Sequence, residues 1–249
     1  MCLPPESQNR LSSGSASSSG TSSASSGTVT ASVRALVPAH PACAEALNIA
    51  KSSLPASILY HSFRVFMYAQ AFLLLFQDDR PPTDPVSDTA SVSHVLFVAC
   101  ILHDVGTDPS HDSIPERFEV VSADAAARVL RTHGVNESAI HDAWLAMALH
   151  TSPGIAERLS GIVRAVRLAV RADFGSYPIP PPEMLPGGPE TMNTIRWKLP
   201  RLEIEKDLGD AVVRQAVGDP LKAPPASWPG DLLRAKREDP DWEGVNKGF

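Results

Sequence analysis

The sequence has few cysteines, no long uninterrupted apolar run and no excess of basic charge, and each shortage argues against a class of protein. Its three cysteines, Cys2, Cys43 and Cys100, lack CxxC spacing, which gives no basis for a disulfide framework or a thiolate metal site and indicates a reducing compartment. No segment reaches the roughly 18 consecutive apolar residues of a membrane span. The net charge of -6 argues against a nucleic-acid partner, which normally requires a clustered basic face. We therefore expect a soluble protein with neither a membrane nor a nucleic-acid partner.

The N-terminal segment is almost wholly Ser, Gly, Ala and Thr. Because such residues are too small and polar to bury a core, residues 1–35 are predicted to form a disordered tail. The segment lacks the compact apolar core of a secretory signal, and with only Arg10 and Arg34 nearby it matches a transit peptide weakly. We expect a cytoplasmic protein, with an organelle address as the alternative.

The remaining chain is predicted to be all-α, with one domain over residues 40–217 and a C-terminal extension over residues 218–249. No stretch of strand length alternates apolar and polar residues between turn signals. Apolar periodicity and capping residues instead predict helices. These helices cover residues 57–76, 89–106, 122–134, 136–154, 154–173 and 201–217, with a Pro-rich loop over residues 177–189.

Two adjacent residues that can bind metal, His103 and Asp104, lie at the end of the second long predicted helix, just before Gly106. Neighbouring residues within a helix point about 100° apart, but at a helix end both side chains can bend towards one ion. Imidazole nitrogens and carboxylate oxygens suit Zn, Fe, Mn and related cations. The doublet therefore predicts a metal site.

The order of short motifs resembles a known family. His61 in "YHSFRV", the doublet in "LHDVGT" and Asp173 in "RADFG" resemble the H…HD…D pattern of the HD-domain metalloenzymes. The segments "RFEVVSADAA", "ALHTSPGIAE" and "LPRLEIEKDL" are similar to those of the fungal cyanamide hydratase group. The resemblance covers about residues 40–217. It implies a single HD-domain helical bundle that holds one divalent metal ion, Zn or Fe, through His61, His103, Asp104 and Asp173.

Further site residues are predicted near this centre. His150 is expected to act as a proton donor or substrate anchor, with the equal alternative that it only contacts the last carbonyls of its helix. Glu119 and Asp124 are predicted to assist catalysis by orienting other groups, although acids in such positions more often face solvent. Thr107 and Thr151 are the predicted substrate-binding residues.

The predicted function is the addition of water to a small nitrile-like substrate, with cyanamide to urea as the reaction that the resemblance implies. One alternative is an HD-type phosphohydrolase acting on a nucleotide or phosphomonoester, although Thr107 cannot supply the positive charge that would hold a phosphate. A second alternative is a metal-free helical binding or regulatory domain. The expected partner is a small-molecule substrate, and a homo-oligomer is the expected departure from a monomer.

Overall fold

The computed structural model describes residues 30–76, 89–159 and 161–242, with only the backbone at residues 89–91. These residues form ten α-helices and no strand, which confirms the all-α prediction. The helices are α1 (Ala31–Arg34), α2 (Pro41–Ser53), α3 (Ala56–Leu75), α4 (Thr89–Leu102), α5 (Phe118–Thr132), α6 (Glu137–Ala148), α7 (Gly161–Asp173), α8 (Pro189–Lys198), α9 (Ile204–Gly218) and α10 (Trp228–Glu238).

Helix α3 is the centre of the bundle. Bulky apolar residues occupy most of its faces, and α4 and α7 pack against it. A helix that is apolar all round must be buried on all sides, and α3 meets this need through these neighbours. It is also the one helix among the described residues that is long and apolar enough to cross a membrane, but most of it is buried inside the bundle, as in the core helix of a soluble protein.

Several predicted helix boundaries differ from the structure, at α3, α4, α5, α6 and α9. Helix α3 was predicted from Ser57, but it begins one residue earlier, and the Ser57 hydroxyl donates to Asp207 of α9. His103 and Asp104 were expected on the last turn of α4, but α4 ends at Leu102 and both residues lie in the turn that follows. This turn frees both side chains from the regular 100° spacing of a helix.

Other helical segments depart further from the prediction. Helices α2 and α8 were not predicted, because Ala, Ser, Asn and Thr give them weak apolar periodicity. Each nevertheless begins with proline at its first position, which is a signal for the start of a helix. The helix predicted from residue 154 begins only at Gly161 as α7. A short 3-10 turn occupies residues 156–158 instead.

The first and last helices of the described chain, α1 and α10, both contribute to the core of the bundle. Residues 1–29 of the predicted disordered tail lie outside the described residues, whereas residues 31–34 form α1 with Val33 buried in the core. In the predicted C-terminal extension, α10 packs against α9 and its residues Trp228 and Leu232 belong to the main core. The described part of the extension is therefore packed onto the bundle.

Candidate metal centre

Three side chains with metal-binding atoms meet where α3 passes the end of α4. His61 lies in the second turn of α3, and His103 and Asp104 lie in the turn after α4. All three are buried, and their ligand atoms lie within 4.8 Å of one another. The packing of α3 against α4 therefore brings together residues 42 positions apart in the sequence.

Backbone carbonyls hold His103 and a further imidazole, His150, by one ring nitrogen each. Nδ1 of His103 lies 2.6 Å from the carbonyl oxygen of Cys100, and Nδ1 of His150 lies 2.5 Å from that of Met147. Since a carbonyl oxygen only accepts, each Nδ1 carries the hydrogen of the neutral ring. The Nε2 atom of each ring then has a free lone pair.

A carboxylate holds His61 in the same way. Its Nδ1 lies 2.6 Å from Oδ2 of Asp173, at the end of α7. Arg64, one turn after His61, donates from its Nε and its terminal nitrogen to both oxygens of Asp173, at 2.7 and 2.8 Å. Arg201 also contacts Asp173, so this carboxylate has several partners. Nε2 of His61 is consequently the nitrogen left with a lone pair.

The three lone pairs converge beside the carboxylate of Asp104. Nε2 of His103 lies 3.2 Å from Nε2 of His61 and 3.1 Å from Oδ2 of Asp104. Nε2 of His150 lies 3.6 Å from Oδ1 of Asp104. Both carboxylate oxygens are buried, and neither accepts a well-formed hydrogen bond from a described residue.

In this arrangement hydrogen-bond acceptors, the imidazole Nε2 atoms and the carboxylate of Asp104, face one another. Two imidazole lone pairs at 3.2 Å repel each other unless positive charge lies between them, and a buried carboxylate without a donor is costly. A cation removes both costs at once. The donor set of two imidazoles and one carboxylate, His61, His103 and Asp104, is that of many catalytic Zn and non-haem Fe sites.

The pKa values of the cluster follow the same electrostatics. Burial raises the pKa of Asp104, but the imidazoles of His103 and His150 outweigh burial and hold it well below its ordinary value. Burial lowers the pKa of His103, but the adjacent Asp104 outweighs this and raises it overall. For His61 burial prevails over Asp173, and its pKa is lowered. The shifts of Asp104 and His103 mean that Asp104 stays ionised and favours positive charge beside it.

Asp173 lies on the far side of His61 from this cluster. Burial raises the pKa of its carboxyl, but the hydrogen bonds from Arg64 and His61 outweigh burial and leave the pKa below its ordinary value. The structure does not bring its oxygens into the group formed by His61, His103 and Asp104. Its role as a metal ligand stays a prediction, while the observed contact fixes the ring of His61.

The structure separates the two predicted catalytic acids. Glu119 of α5 is buried and accepts from Thr151 at 2.7 Å and from Arg117 at 2.5 Å. Asp124, five residues later, points about 140° away around the helix. It is exposed and accepts from Trp144. The structure thus does not bring Asp124 to the cluster.

The two predicted substrate-binding threonines are both buried. The hydroxyl of Thr107 donates to the backbone oxygen of Asp104 at 2.6 Å, and so secures the turn that carries the doublet. The hydroxyl of Thr151 donates to Glu119. A role in substrate binding stays a prediction for each, since each hydroxyl already has a partner within the protein.

Sequence reasoning missed the aromatic rings around the cluster. The ring of Phe118 lies 5.8 Å from that of His150, and the ring of Phe174 lies 4.8 Å from that of His61. Each follows a quoted motif residue, in "RFE" and "RADFG", but nothing in the motifs indicates which ring faces the site. These rings make the surroundings of the cluster partly apolar.

Comparison with known families agrees with this geometry. The family model of the HD domain matches residues 58–184, about half of the chain. The matched range contains His61, His103, Asp104, His150 and Asp173. No curated protein matches the sequence.

Proposed function

This chain belongs to the HD domain family, and we propose that it is a metal-dependent enzyme that adds water to a small, uncharged, nitrile-like substrate, with cyanamide to urea as the reaction. HD-domain proteins are in general hydrolytic. The finer proposal, a hydratase acting on a nitrile, rests on the resemblance of the motifs and on the character of the site.

The observation that carries the proposal is the convergence of three imidazole lone pairs on a buried carboxylate that accepts no well-formed hydrogen bond from the described residues. His61, His103 and Asp104 would hold the ion, which leaves coordination positions for water or substrate. When bound, such an ion lowers the pKa of water towards about 7 and so supplies a nucleophile at neutral pH.

The residues of the chain supply the positioning and the proton transfer. The carbonyl of Met147 fixes the ring of His150 so that its Nε2 faces the cluster. Addition of water across a C≡N bond places negative charge on the nitrile nitrogen, which must gain a proton. Because Nε2 of His150 carries a lone pair, it would accept a proton from the adding water and then pass it to that nitrogen.

The surroundings of the cluster favour a small uncharged substrate over a nucleotide. His61, His103 and Asp104 are at most 1% exposed, and two aromatic rings lie beside the histidines. The nearby cations already have partners: Arg64 and Arg201 contact Asp173, and Arg117 contacts Glu119. A phosphate group would require cations that are free to bind it.

The first experiment combines elemental analysis of protein purified without added metal with an assay for urea released from cyanamide. We expect near-stoichiometric Zn or Fe and urea formation, both lost in His103→Ala. His141→Ala is a matched control, because His141 is exposed on α6 and lies outside the cluster. Metal without urea, combined with hydrolysis of p-nitrophenyl phosphate, would replace the proposal with a phosphohydrolase. Protein that contains no metal and cannot be loaded with it would favour a binding domain.

A further inference from the structure

A second site of unusual charge lies outside the metal centre. A cavity of about 460 Å³ opens between one face of α7, the turn before this helix and the segment after it. Its lining includes four arginines, one glutamate and one tyrosine: Arg158, Arg164, Arg167, Arg171, Glu157 and Tyr177. None of the lining residues belongs to the His61, His103 and Asp104 cluster.

The arginines of α7 form one continuous face. Arg164, Arg167 and Arg171 are three and four residues apart, which places them next to one another on a helix. Like charges at this spacing repel and destabilise a helix. Arg158 adds a fourth positive charge from the preceding turn, so the lining carries an excess of three positive charges in a protein of net charge -6.

The one glutamate is already fully engaged. Oε1 of Glu157 lies 2.8 Å from Nε of Arg167 and 3.6 Å from a terminal nitrogen of Arg171. Oε2 of Glu157 accepts from the backbone N–H of Gly154 at 2.8 Å. Both carboxylate oxygens of Glu157 therefore already have partners within the protein.

Two of the four arginines bring buried donor groups to the cavity. Arg167 is wholly buried; burial lowers the pKa of its guanidinium, and the neighbouring Arg171 lowers it further. Nε of Arg171 is buried and donates to no acceptor within the described residues. A buried donor of this kind favours an added acceptor.

We propose that this cavity binds a small anion that carries two or more phosphate groups. Guanidinium groups present paired donors that match phosphate oxygens. The volume lies in the range of about 300–1,000 Å³ typical of small-molecule sites, and the ring of Tyr177 offers an apolar wall. Arg167 links this site to the metal centre, because it also donates to the backbone oxygen of His150 at 2.9 Å.

Calorimetric titration of the full chain with pyrophosphate at fixed ionic strength tests the proposal. We expect saturable binding of one equivalent and a Kd raised about tenfold or more by either Arg158→Gln or Arg171→Gln, through the loss of charge-assisted hydrogen bonds. Arg128→Gln is the matched control, since Arg128 is exposed on α5 and does not line the cavity; its Kd should not change. ATP titrated in the same way distinguishes a nucleotide from a free diphosphate by which ligand binds more tightly.

A second variant separates this cavity from the metal centre. In His103→Ala, which alters the metal cluster, pyrophosphate should bind as in the native protein. Absence of saturable binding, or equal binding by the Arg158→Gln/Arg171→Gln double variant, would overturn the proposal. Loss of binding in His103→Ala would also overturn it, by placing the anion at the metal centre. Arg158 is exposed, so Arg158→Gln keeps the test decisive even if the Arg171 variant folds poorly.

Discussion

Each histidine around the metal centre is oriented by the hydrogen bond on its outer nitrogen. Carbonyl oxygens hold His103 and His150, and the carboxylate of Asp173 holds His61. In each case a hydrogen bond at Nδ1 therefore leaves Nε2 directed towards the cluster. Since outer partners of this kind fix the tautomer and the ring position, replacing a partner should weaken the metal site without removing a ligand.

Asp104→Asn tests the ligand role directly. The substitution keeps the shape of the side chain but removes the negative charge beside His103. We expect the metal content after dialysis to fall to less than about one-tenth of that of the native protein, since carboxylate charge contributes strongly to cation binding. Elemental analysis measures this content, and unchanged circular dichroism would exclude misfolding. A native metal content in the variant would contradict the assignment of Asp104.

Asp173→Asn distinguishes an orienting residue from a ligand. The observed contact with His61 predicts a loss of metal affinity of about 10- to 100-fold, as measured for outer partners of ligand histidines. Competition with a chromophoric chelator measures the affinity. A loss as complete as in Asp104→Asn would instead support Asp173 as a ligand.

Arg64 is predicted to contribute strongly to stability. Its side chain is 3% exposed and binds both oxygens of Asp173. In Arg64→Met the carboxylate keeps fewer partners, and we expect the free energy of unfolding to fall by about 3–5 kcal/mol. Urea denaturation measures it. The control is Arg131→Met, which breaks the exposed pair with Glu137 and should change little, because exposed ion pairs are weak; equal effects would contradict the argument.

At the scale of the helices, close approach between two backbones positions the doublet. Gly106 lies against the first residue of α5, where an added Cβ would be 2.2 Å from the backbone oxygen of Phe118. This position therefore requires a residue without a side chain. The hydroxyl of Ser122 on α5 accepts a hydrogen bond of 2.8 Å from the backbone N–H of Gly106, which adds to this contact.

Gly106→Ala should therefore separate α5 from the turn that carries His103 and Asp104. We expect a loss of about 1–3 kcal/mol in the free energy of unfolding, typical of overpacking, together with weaker metal binding. Thermal and urea denaturation measure the first effect. Gly218→Ala is the control, since a Cβ there meets nothing within 4 Å, and it should be neutral or slightly stabilising.

The sequence predicted the long apolar helices well and the polar ones poorly. Helix α3 is apolar on most faces, and its limits were predicted to within one residue. Helix α8, "PETMNTIRWK", has only Thr191 and Ile195 buried, so its pattern resembles that of a loop. The motifs likewise identified His61, His103 and Asp104, whereas the contact between Arg64 and Asp173 joins residues 109 positions apart. Such a contact depends on the packing of α3 against α7, which periodicity does not encode.

At the scale of the whole molecule, bound metal should stabilise the fold and should be lost in acid. The ligands come from different elements, so an ion binds the folded chain in preference to the unfolded one and raises Tm. Protons compete for the Nε2 lone pairs, and since Asp104 raises the pKa of His103, this competition begins at a higher pH than for an ordinary histidine. We expect metal retained after dialysis to decrease from pH 8 to pH 5, with a parallel decrease in Tm. Equal Tm values for metal-loaded and metal-free protein would contradict this coupling.

The burial of the cluster also bears on when an ion can enter. His61 and His103 have no exposed surface and Asp104 only 1%, so an ion, like water or a substrate, reaches them only when the surrounding side chains move apart. Exchange of the ion with the medium is then no faster than that opening, which also sets how quickly a chelator can remove it. Metal content after dialysis and chelator competition should therefore approach their final values at a rate set by this opening of the packing and not by diffusion.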